Sequence, residues 1–304
     1  MKRRTFLKNL AAGAAAAAAV SAAGRTGAAL AQEARFPDLV AVRGTELTAM
    51  FDRALEALGG LGRYVKSGQT VAIKPNMGWA AGPEVAANTN PALVAHIVRN
   101  TLNLGARRVV IFDNTCDNWA AAYRDSGIEA AAKEAGATVA PANESGYFQE
   151  VELPGAQRLS GTAFHEAYLE ADVVINVPVL KHHGGARMTA AMKNLMGAIW
   201  SRGPLHFNGL DESLPDLLLA KRPVLHVVEA ARVMLSGGPS GRRDSRYLSS
   251  QMLLASEDPV TVDTACASII ASAGLPVPRY MELAAERGLG RADLASLNVQ
   301  RLSV

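Results

Sequence analysis

The sequence predicts an α/β protein: a doubly wound, mainly parallel, Rossmann-like sheet with helices on both faces, possible as one body or as two lobes. Apolar strand-like runs alternate with helix-like segments along the chain. Those strands are apolar throughout instead of at every second residue, the pattern of strands covered on both faces. Aromatic residues make up only 5% of the 304 residues while glycine occurs 27 times, which suits close packing of helix on sheet.

Taken in order, residues 32–45 read as a linker and Glu46 to Leu58 as a helix, with Met50, Leu55 and Leu58 on its apolar side. "QTVAIKPN" (Gln69 to Asn76) is a short apolar run stopped by proline, hence a buried strand. "NPALVAHIVRNTLNLGA" predicts a helix with Asn90 as N-cap, Pro91 at its first position and Gly105 closing it. "RRVVIFDN" (Arg107 to Asn114) is the next strand, then "GIEAAAKEAGA" a helix and Thr138 the centre of a short strand. Proline, glycine and charge increase between Pro141 and Gly161, which marks the candidate lobe boundary. "ADVVINVPVLK" is a third apolar strand, followed by a helix expected from about Ala186 to Trp200. "PVLHVVEA" and "QMLLASEDP" predict two more strands, and helices over Pro259 to Ala273 and Arg279 to Arg287 complete the chain.

Thirty-one Lys and Arg residues against 28 Asp and Glu leave a net charge of +3, with no long basic run interleaved with aromatics, so no nucleic-acid footprint is expected. The first residues read as an export signal over 1–31. Lys2-Arg3-Arg4-Thr5-Phe6-Leu7-Lys8 resembles a twin-arginine n-region, an alanine-rich stretch follows, and Ala29-Leu30-Ala31 suits cleavage before Gln32. The expectation is therefore an exported, periplasmic protein that meets the twin-arginine machinery and keeps no membrane span after cleavage. Cys116 and Cys266 sit in no CxxC or ferredoxin-type run, so a protein-ligated iron–sulfur cluster is not expected, and their pairing stays open. "GGPSGRR" (Gly237 to Arg243) lacks the Walker spacing and reads as a loop.

In open parallel sheets, ligands bind beyond the carboxyl ends of the strands. There the predicted strands deliver Lys74 and Asn76, then Asp113, then Asn176 with Lys181-His182-His183, and finally Asp258 with Asp263 one turn later. The densest stretch is "VPVLKHHGGARMTAAMKNLMG". Its glycine pair before a helix suggests free N–H groups beside Lys181, a site for a small anion. Met188, Met192, Leu195, Met196 and Ile199 would form the apolar face of that helix, with Thr189, Lys193 and Gly197 on another face and Asn194 adjacent. His226, inside an apolar strand, reads as a core histidine, and the histidine pair more simply as a loop than a metal site.

The blocks "VAIKPNMGW", "NTNPALV", "GARRVVIFD", "ADVVINVPVLKHH", "MTAAMKNLMGAIW" and "SEDPVTVDTACASII" resemble, in order, those of the uncharacterised domain-of-unknown-function family 362. Members of that family often carry a ferredoxin segment, whose cysteines are missing here. The resemblance implies importance for Lys74, Asn76, Thr89, Pro91, Asp113, Asn176, Lys181, Lys193, Asn194, Gly197, Asp258 and Asp263, but no reaction. A more distant similarity to nickel-dependent lactate racemases implies a pyridinium-type cofactor on Lys181 or Lys193, with His182 or His183 near a metal. The residues themselves specify neither metal nor cofactor.

Three functions remain open at this stage. In an enzyme acting on a small anionic substrate, Lys181 or Lys193 is the base or imine-forming nucleophile and Asp113 or His182 its proton partner. Lys74, Asn76, Thr89, Asn176, Asn194, Asp258 and Asp263 then hold the ligand. A periplasmic anion- or cofactor-binding protein would use the same cluster without chemistry, and a redox partner would carry a non-covalent cofactor.

Overall fold

The structure, a computed structural model, describes residues 36–304. The expected export signal lies outside the described residues. Phe36–Val304 forms one compact unit, so the stretch 141–161 is not a lobe boundary.

The described strands are β1 (Leu39–Arg43), β2 (Thr70–Pro75), β3 (Arg108–Ile111), β4 (Thr138–Val139), β5 (Phe148–Glu152), β6 (Gly161–His165), β7 (Val173–Val177), β8 (Val179–His183), β9 (Arg187–Thr189), β10 (Leu225–Met234), β11 (Tyr247–Ser256) and β12 (Val299–Ser303). The helices are α1 (Leu47–Ala57), α2 (Pro91–Asn103), α3 (Trp119–Asp125), α4 (Ile128–Glu134), α5 (Glu166–Glu170), α6 (Ala191–Asn194), α7 (Gly203–Phe207), α8 (Leu210–Ser213), α9 (Pro259–Ser272) and α10 (Tyr280–Glu286). The main sheet runs β12-β1-β11-β10-β7-β2-β3-β4, with β8 and β9 branching from β10. The run β10-β7-β2-β3-β4 is parallel throughout, while β11 runs antiparallel to both β1 and β10. The mixed α/β class and the largely parallel sheet agree with expectation.

Because side chains alternate across a strand, each apolar strand feeds two cores at once. Val71, Ile73, Val173 and Ile175 face one core with residues of α1, α2 and α4. Ala72 and Val174 face the other, with residues of α6 and α9. Helix α2 starts as its sequence dictates: the Asn90 side chain accepts from Ala92 N–H at 2.9 Å, with Pro91 at the first turn.

Three expectations need correction. The supposed linker contains β1, a buried strand between β11 and β12. The stretch 141–161 holds the β5–β6 hairpin. The expected helix from Ala186 to Trp200 is instead a hairpin arm, β9, followed by the four-residue α6 and a 3-10 turn over Leu195–Ala198. Pairing of β8 with β9 satisfies the backbone there, so the glycine pair turns a hairpin instead of opening a helix. Among the described residues no helix is long and apolar enough to cross a membrane.

Candidate functional site

A cavity of about 50 Å³ opens at the carboxyl ends of β2, β3 and β8, lined by Asn76, Trp79, Asp113, Cys116, Lys181 and His183 among others. Thr189, Lys193, Asn194, Gly197 and Arg202 complete most of its wall. Strand register explains how the hairpin contributes. Lys181 pairs with Thr189, and His183 lies two residues on from Lys181, so all three share one face of the β8–β9 ribbon. His182 faces the other way, where its Nδ1 accepts from Gly238 N–H at 3.2 Å.

Behind the wall, Lys74 is fully buried at the end of β2. Its Nζ stands 2.9 Å from Asp113 Oδ1 and donates to Pro75 O at 2.6 Å. Asp113 Oδ2 accepts from Met77 N–H at 2.6 Å, so both carboxylate oxygens are engaged within the protein. Burial lowers the Lys74 pKa, and the Asp113 carboxylate pulls it back up. Gly197 makes this pair possible. A Cβ there would sit 1.9 Å from Asp113 Oδ1 and 2.7 Å from Lys74 Nζ.

Lys181 is also fully buried. Its Nζ donates to Ala87 O and lies 5.5 Å from the centre of the Trp79 ring. Burial is the main reason its pKa falls to about 7, aided by Lys193 and Lys74 and opposed by Cys116 and Asp113. Lys193, half-buried on α6, has its pKa lowered to about 8 by burial first and by Arg202 and Lys74 after that. Its ammonium has no hydrogen-bond partner among the described residues. The Arg202 guanidinium donates to Asn114 O, to Thr115 O at 3.2 Å, to Met196 O at 3.2 Å and to Cys116 Sγ at 3.0 Å. It thereby closes the loop after β3 over the cavity.

A network of amides holds α6 to the sheet. Lys74, Asn176 and His226 lie side by side on β2, β7 and β10. Asn176 Nδ2 donates to Ala191 O at 2.9 Å and meets His226 Nδ1 at 3.0 Å. Asn194 Nδ2 donates to Asn176 Oδ1 at 2.8 Å and to Lys74 O at 3.1 Å. The first N–H groups of α6 are taken by Asp263, which accepts from Ala191 at 2.6 Å and Met192 at 2.9 Å. The anion site expected after Gly184-Gly185 does not form, because no helix opens there and the Gly185 and Ala186 N–H groups donate to His183 Nδ1.

Of the residues singled out from sequence, Asn76, Asp113, Lys181, Lys193 and Asn194 meet around one cavity. Others serve the fold. Thr89 bridges Asn76 N–H, at 2.8 Å, to Val177 O, at 2.6 Å. Asn176 latches α6, Asp258 caps α9 through Val260 N–H at 2.8 Å, and Asp263 caps α6. Lys74 is spent on Asp113, both of whose oxygens already accept a bond within the protein. His182 is replaced in the cavity by His183. Trp79, Cys116, Thr189 and Arg202 were not picked as site residues. Only Thr189 carried a signal, as the partner across a hairpin from Lys181. Cys116 and Cys266 are both free thiols, the first exposed and the second buried.

The family model for "Domain of unknown function (DUF362)" matches residues 71–268, which span every strand and loop of this cavity. The chain belongs to that family. A thylakoid-associated protein of Synechocystis sp., sll1697, is 25% identical over 252 residues, covering 80% of this chain and 75% of the relative. Among solved structures, the lactate racemase apoprotein from Thermoanaerobacterium thermosaccharolyticum overlaps at a TM-score of 0.44 with 11% identity. That overlap covers 75% of this chain and 56% of the racemase, and assigns no chemistry to this DUF362 chain. The cofactor and metal that the distant racemase resemblance implies do not fit the residues present. Cofactor-sized sites run to several hundred Å³, His182 faces away, and no group of three or more His, Cys, Asp or Glu among the described residues is placed to hold a metal ion.

Proposed function

We propose that this DUF362 chain is an enzyme that draws a small carboxylate anion into the cavity and moves a proton on it with Lys193. The observation that carries the proposal is the imbalance of charge. Lys181, Lys193 and Arg202 line the space with Lys74 behind them, and one carboxylate, Asp113, answers all four. Burying unmatched positive charge is costly, and the free protein relieves that cost by lowering the lysine pKa values. An incoming anion would supply the missing charge and hold Lys181 protonated.

The two cavity lysines divide the work. Lys181 is fully buried and anchored on Ala87 O, which suits it to binding. Lys193 has no hydrogen-bond partner among the described residues, and with a pKa near 8 a fraction of it is unprotonated at neutral pH. An amine in that condition can accept a proton from a carbon that a neighbouring carbonyl makes acidic. The proton moves to Lys193 Nζ, and the C–H electron pair is left on a substrate whose charge the remaining cations stabilise.

Thermal-shift titration with malonate and inorganic phosphate tests binding. Proton–deuterium exchange in short carboxylates and 2-oxo acids, followed by proton NMR in D2O, tests chemistry. The expected result is an anion-dependent rise in Tm and exchange of at least one substrate, with Lys193→Met losing exchange by at least 100-fold and keeping the malonate shift. No thermal shift with any anion would sink the site. Binding with no exchange across the whole panel would leave an anion-binding protein in place of an enzyme.

A further inference from the structure

We infer that His183 projects a neutral imidazole Nε2–H into the cavity and donates it to an oxygen of the bound anion, so that it polarises the carbonyl on which negative charge develops. The inference rests on the proposed anion site and adds the group that recognises the substrate's second oxygen. It begins with the hairpin turn. His183 Nδ1 accepts from two backbone N–H groups, Gly185 at 3.1 Å and Ala186 at 3.0 Å. A ring nitrogen that accepts two N–H bonds cannot also carry a proton, so a neutral ring must bear its hydrogen on Nε2. Among the described residues that Nε2–H has no acceptor, and His183 lines the cavity beside Lys181 and Lys193.

The surroundings keep the ring neutral. Burial, then Lys193, Lys181, His206 and His182, all oppose a second proton and push the pKa of His183 down to about 3. A neutral donor suits an acceptor oxygen whose charge grows during reaction, because it stabilises without surrendering its own proton. Thr189 points to the same conclusion. It is 3% exposed, lines the cavity, and its hydroxyl makes no hydrogen bond among the described residues. Asn76, 9% exposed, lines the cavity as well, and its Nδ2 amide donor makes no hydrogen bond among the described residues. Unpaired polar groups on several sides of one small space mark a ligand with oxygens on more than one face.

The substrate class that fits is a short carboxylate with a carbonyl oxygen near the acid, such as a 2-oxo or 3-oxo acid. One oxygen set lies toward Lys181, and the carbonyl oxygen toward His183 Nε2. As Lys193 takes the proton from the carbon beside the carbonyl, the C–H pair becomes the new C=C bond. The carbonyl π pair moves onto oxygen, where the His183 N–H holds it. No further reactant is required.

The test is nitrogen-15 NMR of histidine-labelled protein between pH 5.5 and 8, with His183 assigned by comparison with His183→Gln. The expected spectrum shows an unprotonated Nδ1 and a protonated Nε2 across that range, with the Nε2 resonance moving when malonate is added. His183→Leu should lower substrate exchange by about 100-fold while malonate affinity changes by less than tenfold, and His183→Gln, which restores an N–H donor, should recover part of the loss. An Nδ1–H tautomer, an imidazolium at pH 7, or malonate that raises Tm without moving Nε2 overturns the assignment. Loss of the malonate thermal shift with the expected tautomer intact strikes the anion site and not the tautomer.

Discussion

At the scale of single residues, the site depends on an atom that is missing. Gly197 carries no Cβ, and any Cβ there would fall within 1.9 Å of Asp113 Oδ1 and 2.7 Å of Lys74 Nζ. Gly197→Ala must push the two charges apart inside a region where neither meets water. Breaking a buried ion pair typically costs about 3–5 kcal/mol, so urea unfolding of Gly197→Ala should show a loss of that order. A change below about 1 kcal/mol would show that the pair yields without cost. The lysines and amides of this cluster were legible from sequence because strand ends of a parallel sheet face one crevice. The roles inside the cluster were not, because they turn on which oxygen each nitrogen reaches. Asn76 and Asn176 look alike in sequence, yet one lines the cavity with its amide unpartnered and the other is consumed by Ala191 O and His226. The choice between His182 and His183 was within reach, since only the latter shares a ribbon face with Lys181, but that required recognising β8 and β9 as a hairpin.

At the scale of elements, that hairpin is where helix periodicity misled. Met188, Met192, Leu195 and Met196 recur at helical spacing, and all are buried, but Met188 belongs to β9 and the others follow a break at Ala190. Gly184-Gly185 held the alternative signal, a glycine turn between short extended arms. Helix α6 is only four residues long, too short to stand by its own hydrogen bonds, and it is fastened by Asp263 from α9. Burial raises the Asp263 pKa to about 7, against the two N–H donors that favour its charged form. Asp263→Ala leaves both N–H groups buried without acceptors, each worth about 1–3 kcal/mol. The expected outcome is a loss of roughly 2–6 kcal/mol on that same basis, together with a weaker malonate response, since Lys193 and Asn194 ride on this helix. Asp263→Asn keeps one acceptor oxygen and should lose about half as much. Equal stability of Asp263→Ala and the unaltered protein in urea would remove Asp263 from this role.

At the scale of the whole molecule, the sheet was readable because doubly covered strands must be apolar on both sides. Its edge was not. β1 and β12 pair with each other across more than 250 residues of sequence, and no local pattern announces that partnership. The cationic cavity also leaves a mark on global stability. Lys181 and Lys193 have pKa values near 7 and 8 in the folded chain, against about 10.4 for an unfolded lysine. Between pH 7 and 8.5 the unfolded chain therefore holds more protons than the folded one, and stability must rise with pH. The lowered pKa of Lys74 acts in the same direction. Asp263 and Glu229, raised to about 7 by burial, work the other way, but mainly below pH 7. His183 and His226, lowered to about 3, have finished their contribution by then. Buried Cys266, whose pKa is pushed up, begins to oppose the trend only near pH 8.5, where an unfolded thiol ionises. The expected gain from pH 7 to 8.5 is about 1–2 kcal/mol in urea unfolding. Lys181→Met should flatten that slope and raise stability at pH 7, because it removes a buried ammonium that makes no ion pair among the described residues. Saturating malonate should lessen it too, by holding Lys181 protonated in the folded state, and its binding should take up protons and weaken as pH rises above 8. A protein whose stability is level or falling from pH 7 to 8.5 would mean that the cavity lysines keep their protons unaided, and that the charge an anion is asked to answer is already answered within the fold.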